Sequence, residues 1–516
     1  SERVMIAKNT YQETFRDATA FLGMYPQRGD DTGPDHLNDL TWTADRNEFI
    51  GRNGSMEHPA GMDRVGLSCR TGTHYESCGA IQTKLTLNPE EEQVVYILLG
   101  CEDSKESVLQ LTEKYSQPSA CDQAMEEITA FWDHHLGQIQ VSTPSKETDF
   151  MLNGWLLYQS LACRIWARTA FYQAGGAFGF RDQLQDSLAL LHTMPEKTRA
   201  QIVLHASHQY LEGDVQHWWH EETERGIRTT FSDDLLWMPY VVSRYIEHTG
   251  DRTVLDEVAP FLMSEQLAEG EHERYEPTVR SSETGTVYEH CLRAIDRALS
   301  RIGEHGLPLI GVGDWNDGMN QVGVKGRGES VWLGWFICDV LNRFTELCGL
   351  RGDSERVESF QTMRKQLTDS LNKEGWDGQW YRRAFTDAGQ WLGSIQNEEC
   401  RIDAIAQSWS VISGAAPMDR AVQAMNSFDR ELVEQDLAVV RLLTPAFDQT
   451  EPSPGYIQGY PPGIRENGAQ YTHGVIWGII AWCQLGNGDK AMEMFTMLNP
   501  MTHTRTDQEV RRYTGG

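Results

Sequence analysis

The chain has 516 residues, material for about two to four domains at roughly 100 to 200 residues each, which excludes a disulfide mini-protein or a short peptide module. Its 45 Lys+Arg stand against 75 Asp+Glu for a formal net charge of −30. Such a field repels phosphate backbones and anionic lipid surfaces, so nucleic acid and direct membrane contact are set aside as partners.

With 40% hydrophobic and 23% charged residues the composition is ordinary globular material, yet 16 Trp and 17 Tyr are a rich aromatic share. Flat apolar rings with polar edges are what sugar rings stack on. The ten cysteines, from Cys69 to Cys483, are scattered with no CxxC pair. That spacing argues against a disulfide framework or a zinc knuckle and suits reduced thiols in the cytoplasm, with no metal expected. The opening SERVMIAKNTYQETFRD is polar, and no stretch supplies about 18 uninterrupted apolar residues. Neither a signal peptide nor a transmembrane span is expected, and the abrupt ends read as a piece of a longer polypeptide.

In chain order, residues 30–100 are dense in turn formers. Two segments between them read as strands: 81–87, with Ile81, Thr83, Leu85 and Leu87 on one face, and the apolar run 94–99. Residues 1–102 are therefore expected to form a β region, and 103–146, with SKESVLQLTEKY and AMEEITAFWDHHLGQI, a helical linker. From 147 to 500, ten to twelve segments of helical period alternate with long loops. In 329–347, Phe336, Val340, Phe344 and Leu347 fall on one stripe, and Pro417 suits the start of another helix. The class is mainly α with a β domain: a barrel of helix pairs whose site is assembled from loops at one end. Residues 501–516 begin a C-terminal segment.

The most unusual loop is GLPLIGVGDWNDGMNQVGVKGRGESVW, residues 306–332. Between Gly311 and Trp332 it holds six glycines, Asp314 and Asp317, Trp315 and Asn316. Glycines let backbone approach a ligand closely, and a carboxyl beside an indole can be kept protonated as a general acid. The competing reading is a turn-capping Asp beside a core Trp. In RTAFYQAGGAFGFRDQLQDSLALLH, residues 168–192, Asp182 and Asp186 share a face if a helix begins at the glycines, and Arg181 offers a hydrogen-bond fork. A capped helix with a surface ion pair is the alternative. In EGDVQHWWHEETERGIRTTFSDDLLWMPY, His217 and His220 with Asp214 lack the HExxH frame of a metal site, so Trp218 and Trp219 are expected to stack on carbohydrate. Aromatic core, with Ser232 and Asp233 capping the next helix, is the plain alternative. Near the end, Arg465, Glu466 and His473 surround a glycine, and RRYTGG closes the chain.

The strings RTAFYQAGGAFGFRDQLQD, EGDVQHWWH, GVGDWNDGMN with GRGESVWLGWF, and ENGAQYTHG resemble the glycoside hydrolase family 94 phosphorylases, which include cellobiose and chitobiose phosphorylases. TADRNEFIGRNGS and HPAGM resemble most the 1,2-β-oligoglucan phosphorylases and the phosphorylase-like region of cyclic β-1,2-glucan synthases. The resemblance implies a β-sandwich followed by an (α/α)6 barrel and inverting attack by inorganic phosphate, with no cofactor. It implies that Asp317 is the general acid, that Trp315 lines the sugar site while Asp314 is structural, and that Arg181, Asp182 and Asp186 hold the non-reducing-end sugar. His473 matches the phosphate-site histidine, and Thr514 with Gly515 match the family's YTGS turn. The stretch from His473 to Thr514 is short for the family, an expectation of residues omitted near the end.

The partners expected are a β-linked gluco-oligosaccharide and phosphate, in a homodimer or within a larger polypeptide. Phosphate is itself a nucleophilic anion, so cationic and N–H groups can replace the second carboxylate that inverting hydrolysis needs. The rivals are an inverting hydrolase with Asp314, Glu329 or Asp186 as base, and a silent glucan-binding or chain-length-controlling module.

Overall fold

The computed structural model describes residues 4–11, 15–26, 40–73, 75–168 and 176–514. The chain divides into two compact units, Ser1–His134 and His135–Gly516. In the first, β1 (Val4–Lys8), β2 (Thr19–Pro26) and β5 (Val95–Glu102) form an antiparallel sheet in the order β1-β2-β5. Next to this sheet in the chain come the pair β3 (Thr41–Asp45) and β4 (Ser77–Gln82), the short α1 (Arg46–Ile50), α2 (Lys105–Tyr115) and α3 (Pro118–Leu136). The strand expected over 81–87 is displaced: β4 ends at Gln82, and Leu85 and Leu87 are exposed. Among the described residues their alternation has no partner strand to bury it, because β4 pairs through Ser77–Gln82 with β3. The unit boundary falls inside α3, within the span read as a linker.

The second unit begins with a helical segment over 146–165, in which α4 (Lys146–Phe150) and α5 (Leu156–Gln159) are separated and followed by π turns. The remaining helices then alternate in character. α6 (Phe180–Leu188), α8 (Trp237–Thr249), α10 (Val331–Leu350), α12 (Ala404–Ile412) and α14 (Thr472–Gln484) are interleaved with α7 (Pro195–Ala206), α9 (Val287–Leu299), α11 (Ser354–Glu374), α13 (Met418–Leu432) and α15 (Gly488–Leu498). α12 buries every residue from Ala404 to Val411, whereas α11 buries only Phe360, Leu367 and Leu371. A helix apolar on all sides belongs inside and one with a single apolar stripe outside, so the even-numbered set forms the inner ring with segment 146–165, and the odd-numbered set the outer one. The expected stripe Phe336, Val340, Phe344 and Leu347 is buried on α10. Gly334 permits the close approach of α10 and α11, since a Cβ there would lie 2.8 Å from Leu371. This is the (α/α)6 architecture, preceded by a β unit.

Local capping sets where the helices begin. Ser330 Oγ accepts from Leu333 N at 3.0 Å and Asp403 Oδ1 from Ile405 N at 2.9 Å, and Thr286 with Glu289 closes a capping box on α9. The barrel also carries a four-stranded antiparallel sheet, ordered β10-β8-β7-β6, from β6 (Ala177–Gly179), β7 (Gln216–His220), β8 (Arg225–Thr229) and β10 (Glu273–Pro277). A pair β9 (Val258–Leu262) and β11 (Arg280–Thr286) accompanies it. All ten cysteines are free thiols, and among the described residues no helix is long and apolar enough to cross a membrane. α16 (Asp507–Thr514) ends the described chain.

Candidate active site

The five inner helices after segment 146–165 bring their N-terminal ends together. Arg181 is the second residue of α6, Asp233 and Asp234 precede α8, the 306–330 loop leads into α10, Asp403 caps α12, and His473 is the second residue of α14. These residues touch one another across the chain, so the inner helices run parallel and direct the positive ends of their dipoles to one region.

The loop before α10 is anchored by the first of its two aspartates. Asp314, fully buried, receives both guanidinium nitrogens of Arg383 at 2.6 Å, the Ser330 hydroxyl at 2.7 Å and the Asn316 backbone N–H at 3.1 Å. Burial opposes its ionisation, but Arg383 overcomes it and lowers the pKa. Asn316 then caps a single 3-10 turn, Asp317–Met319, by accepting from Gly318 N at 3.1 Å. A Cβ at Gly318 would lie 2.8 Å from that of Ile457, so the backbone is pressed flat at the turn. Asp317, at the head of the turn, keeps 34% of its side chain exposed.

Arg181 holds this acid. Its guanidinium donates to both oxygens of Asp233 (2.9 and 3.1 Å), to the Asp314 carbonyl (3.2 Å) and to Asp317 Oδ1 (2.9 Å), and lies 3.3 Å from Asp234. Its Nε and Nη2 are thus engaged inside the protein and position Asp317, while Nη1 has no partner among these contacts. His217 completes the group: Nδ1 meets Asp234 Oδ2 at 2.7 Å and Nε2 lies 3.9 Å from Asp317 Oδ2, with the ring stacked on Phe231. Burial disfavours its charge, but Asp234 and then Asp317 prevail and raise it to about 9, so it is an imidazolium at neutral pH. Burial pushes Asp233 up to about 7 against the pull of Arg181, with Asp234 adding to the rise. The cluster therefore places two cations, Arg181 and His217, against the two oxygens of Asp317.

Asp182 and Asp186 lie one turn apart on α6, as their spacing predicts. Asp182 is 3.3 Å from Arg168; burial resists its charge, yet Arg181, Arg168 and Arg164 lower its pKa. Asp186 accepts from Arg164 Nε at 2.9 Å, and burial lifts it to about 6 despite that arginine. Asp186 lines a cavity of about 560 Å³ with Trp237, Tyr240, His473 and Trp477. His473 opens on this space and is exposed there, yet the protein packed around the rest of its ring, with Arg164 and Arg181 nearby, lowers it to about 4, so it is neutral at pH 7. Trp315 is 6% exposed and packs edge-on against Tyr471, His473 and Trp477 at 5.0 to 5.6 Å between ring centroids. It links the acid's loop to His473.

Several expectations change. Trp219 is 1% exposed, stacked on His208 at 3.8 Å, and is core that no sugar reaches; Trp218 packs against Tyr275 and His220. Asp233 makes no helix cap, because Arg181 and the Trp237 indole N–H occupy its carboxylate, and Ser232 bonds the Gly313 carbonyl at 3.0 Å. Of the two sealed candidate bases, Asp314 is closed by Arg383, and Glu329 is fully buried, taking the backbone N–H and ring of His305 at 3.0 Å each. Neither reaches a substrate. Gly515 lies outside the described residues, and so does the Thr514 side chain. The residues that the sequence reading left unassigned are His217, Asp234 and Glu466. Glu466 is mostly buried, with Oε2 3.6 Å from Arg465 Nε and without a hydrogen bond. The EGDVQHWWH string contained His217, but nothing in it told which of its rings faces the acid.

An inner ring of parallel helices enclosed by an outer ring of helices defines the class of (α/α)6 barrels. Within that class the chain belongs to the glycosyl hydrolase 94 superfamily: the catalytic-domain family model matches residues 131–514 and the supersandwich-domain model residues 1–118. It is 43% identical over 515 residues to cyclic beta-(1,2)-glucan synthase NdvB of Rhizobium meliloti, covering 99% of this chain and 18% of that protein. It is 30% identical to solabiose phosphorylase of Paenibacillus borealis, covering 88% of this chain and 55% of that one. With 1,2-beta-oligoglucan phosphorylase of Listeria innocua it shares 23% identity over 76% of this chain and 36% of that one. The chain thus spans from about a fifth to just over half the length of these relatives.

Proposed function

We propose that this chain carries the catalytic centre of an inverting glycoside phosphorylase acting on a β-linked gluco-oligosaccharide, with β-1,2-glucan as the substrate. Asp317 delivers a proton to the bridging glycosidic oxygen as the bond to the anomeric carbon breaks, and a phosphate oxygen attacks that carbon from the opposite face. The products are an α-sugar phosphate and a chain shortened by one unit with a free hydroxyl. Asp317, left as a carboxylate, regains a proton through solvent as the attacking hydrogen phosphate gives up its own on becoming the sugar phosphate, so one turnover balances, while the His217 imidazolium 3.9 Å away keeps its charge beside the acid. Neutral His473 donates to phosphate, and the converging helix N-termini favour the anion. The single observation behind this reading is the solvent-facing acid held by Arg181 on a loop that Trp315 ties to His473. The β-1,2 linkage draws its support from the synthase relative.

A second reading has its own support: nearly the whole chain aligns with only 18% of that synthase, which suits a module that trims glucan inside a larger polypeptide. Incubation with phosphate and β-1,2-, β-1,3- and β-1,4-gluco-oligosaccharides, scored for α-glucose 1-phosphate, tests both. Release from the β-1,2 series alone is expected. Free sugar appearing equally fast without phosphate would make the protein a hydrolase, and binding without turnover a silent module.

A further inference from the structure

A second cavity, of about 260 Å³, lies behind the same loop, between the C-terminal end of α9, residues 266–272 and the glycines 311, 323 and 326. Its walls carry Arg228, Arg297 and Arg301 together with Asp214 and Glu271. Arg228 takes both oxygens of Asp214 at 2.7 and 2.8 Å and Glu212 at 3.0 Å, and Arg274 takes Glu271 and lies 3.8 Å from Glu276. Arg297 and Arg301 remain, and among the described residues neither forms an ion pair. Arg297 Nε is buried without a hydrogen-bond partner, and Arg301 reaches only the Thr230 carbonyl, at 3.4 Å.

In a chain of net charge −30, two guanidiniums facing one cavity with no ion pair of their own are out of keeping with their surroundings, since the carboxylates that share the wall, Asp214 and Glu271, are bound to other arginines. A guanidinium held partly out of water without a partner is disfavoured, and the end of α9 offsets only about half a unit charge. Burial and the neighbouring Arg297 accordingly push Arg301 down to about 10. Gly311, at φ 63°, gives the guanidinium its room, since a Cβ there would lie 2.9 Å from Arg301 Nη2.

We propose that this cavity is a second oxyanion site, in which Arg297 and Arg301 bind a phosphate group, and that its occupancy steadies the loop whose other face carries Trp315 and Asp317. Paired forks of this kind match the oxygens of a tetrahedral anion, and the volume admits either inorganic phosphate or a sugar phosphate. The choice of phosphate rests on the phosphorolysis proposed above; the anion site itself does not.

The test is thermal unfolding and calorimetric titration at matched ionic strength with chloride, sulfate, inorganic phosphate or α-glucose 1-phosphate. An R297Q/R301Q variant is expected to bind at least about tenfold more weakly, while H473A keeps this site. The sugar phosphate binding more tightly than inorganic phosphate would identify the occupant as the former, and the reverse order the latter. Arginine-dependent binding in a protein without phosphorolysis would uphold the site while sinking the proposed function. Undiminished anion binding in R297Q/R301Q, or its complete loss in H473A, overturns the proposal. In chloride alone R301M should unfold no lower than the wild type, because only an unpaired charge has been removed; a lower midpoint would show that protein groups satisfy Arg301 and would also overturn it.

Discussion

Replacing Asp314 with Asn isolates what holds the catalytic loop. The substitution keeps size and shape but leaves Arg383, whose side chain has no exposure, without the two 2.6 Å contacts that neutralise it. Asp403, 3.3 Å from Arg383 Nε, is its remaining anionic neighbour. Removing one partner of a buried pair costs about 3–5 kcal/mol. Spread over a barrel unit of about 380 residues that unfolds with roughly 2.1 cal/mol/K per residue, this corresponds to a fall of about 4–6 °C in Tm. The assay is thermal and urea unfolding of D314N, R383M and the double variant. Because the double variant removes both charges together, it should lose less than D314N alone, giving a favourable coupling in the cycle. A D314N midpoint within about 1 °C of the wild type, or a double variant as unstable as the two losses added, would refute the anchoring argument.

Three further outcomes are expected. His217 is raised to about 9 in the fold, against about 6.5 unfolded, so its stabilisation is complete below pH 6.5 and is lost as pH rises through 9. Urea unfolding of the wild type should weaken by on the order of 3 kcal/mol across that window, and H217Q should remove that slope; an unchanged slope would mean that the proton sits elsewhere. Glu466, in the loop before α14 with one carboxylate oxygen lacking a hydrogen bond, is expected to accept one from a sugar hydroxyl, so Glu466→Gln should lower kcat/KM for the oligosaccharide by about 10- to 150-fold, the worth of one hydrogen bond to a charged group; wild-type kinetics would exclude that contact. Trp219→Ala should destabilise by about 3–5 kcal/mol and leave sugar affinity in the surviving folded protein unchanged, whereas a selective loss of affinity would restore the stacking role.

The barrel was legible because burial writes its period into the chain: the steps from Phe336 to Leu347 mark α10 as a helix, and the glycine-rich loops between helices mark one end as the site. The two aspartates of the GVGDWNDGMN loop differ in burial, Asp314 inward and Asp317 outward. What pattern alone could not give was pairing over distance. Arg181 meets Asp233 across 52 positions and Asp317 across 136, and no local spacing encodes which carboxylates will share one guanidinium. The same limit misassigned Trp219, since β7 carries its ring into the core against His208 while the neighbouring His217 goes to the acid. The strand expected at 81–87 failed for a related reason: alternation reads as a strand only when a second strand lies beside it.

The account turns on Asp317 as proton donor to a departing oxygen, and the most direct measurement varies the need for that proton. Phosphate-dependent turnover of wild type and D317N should be compared on a natural β-glucan and on an aryl β-glucoside whose phenol leaves readily as an anion. D317N is predicted to lose about 10²- to 10⁴-fold on the glucan and little on the activated glucoside, the signature of an absent general acid. Equal losses on both substrates, or near-normal turnover of the glucan, would contradict it.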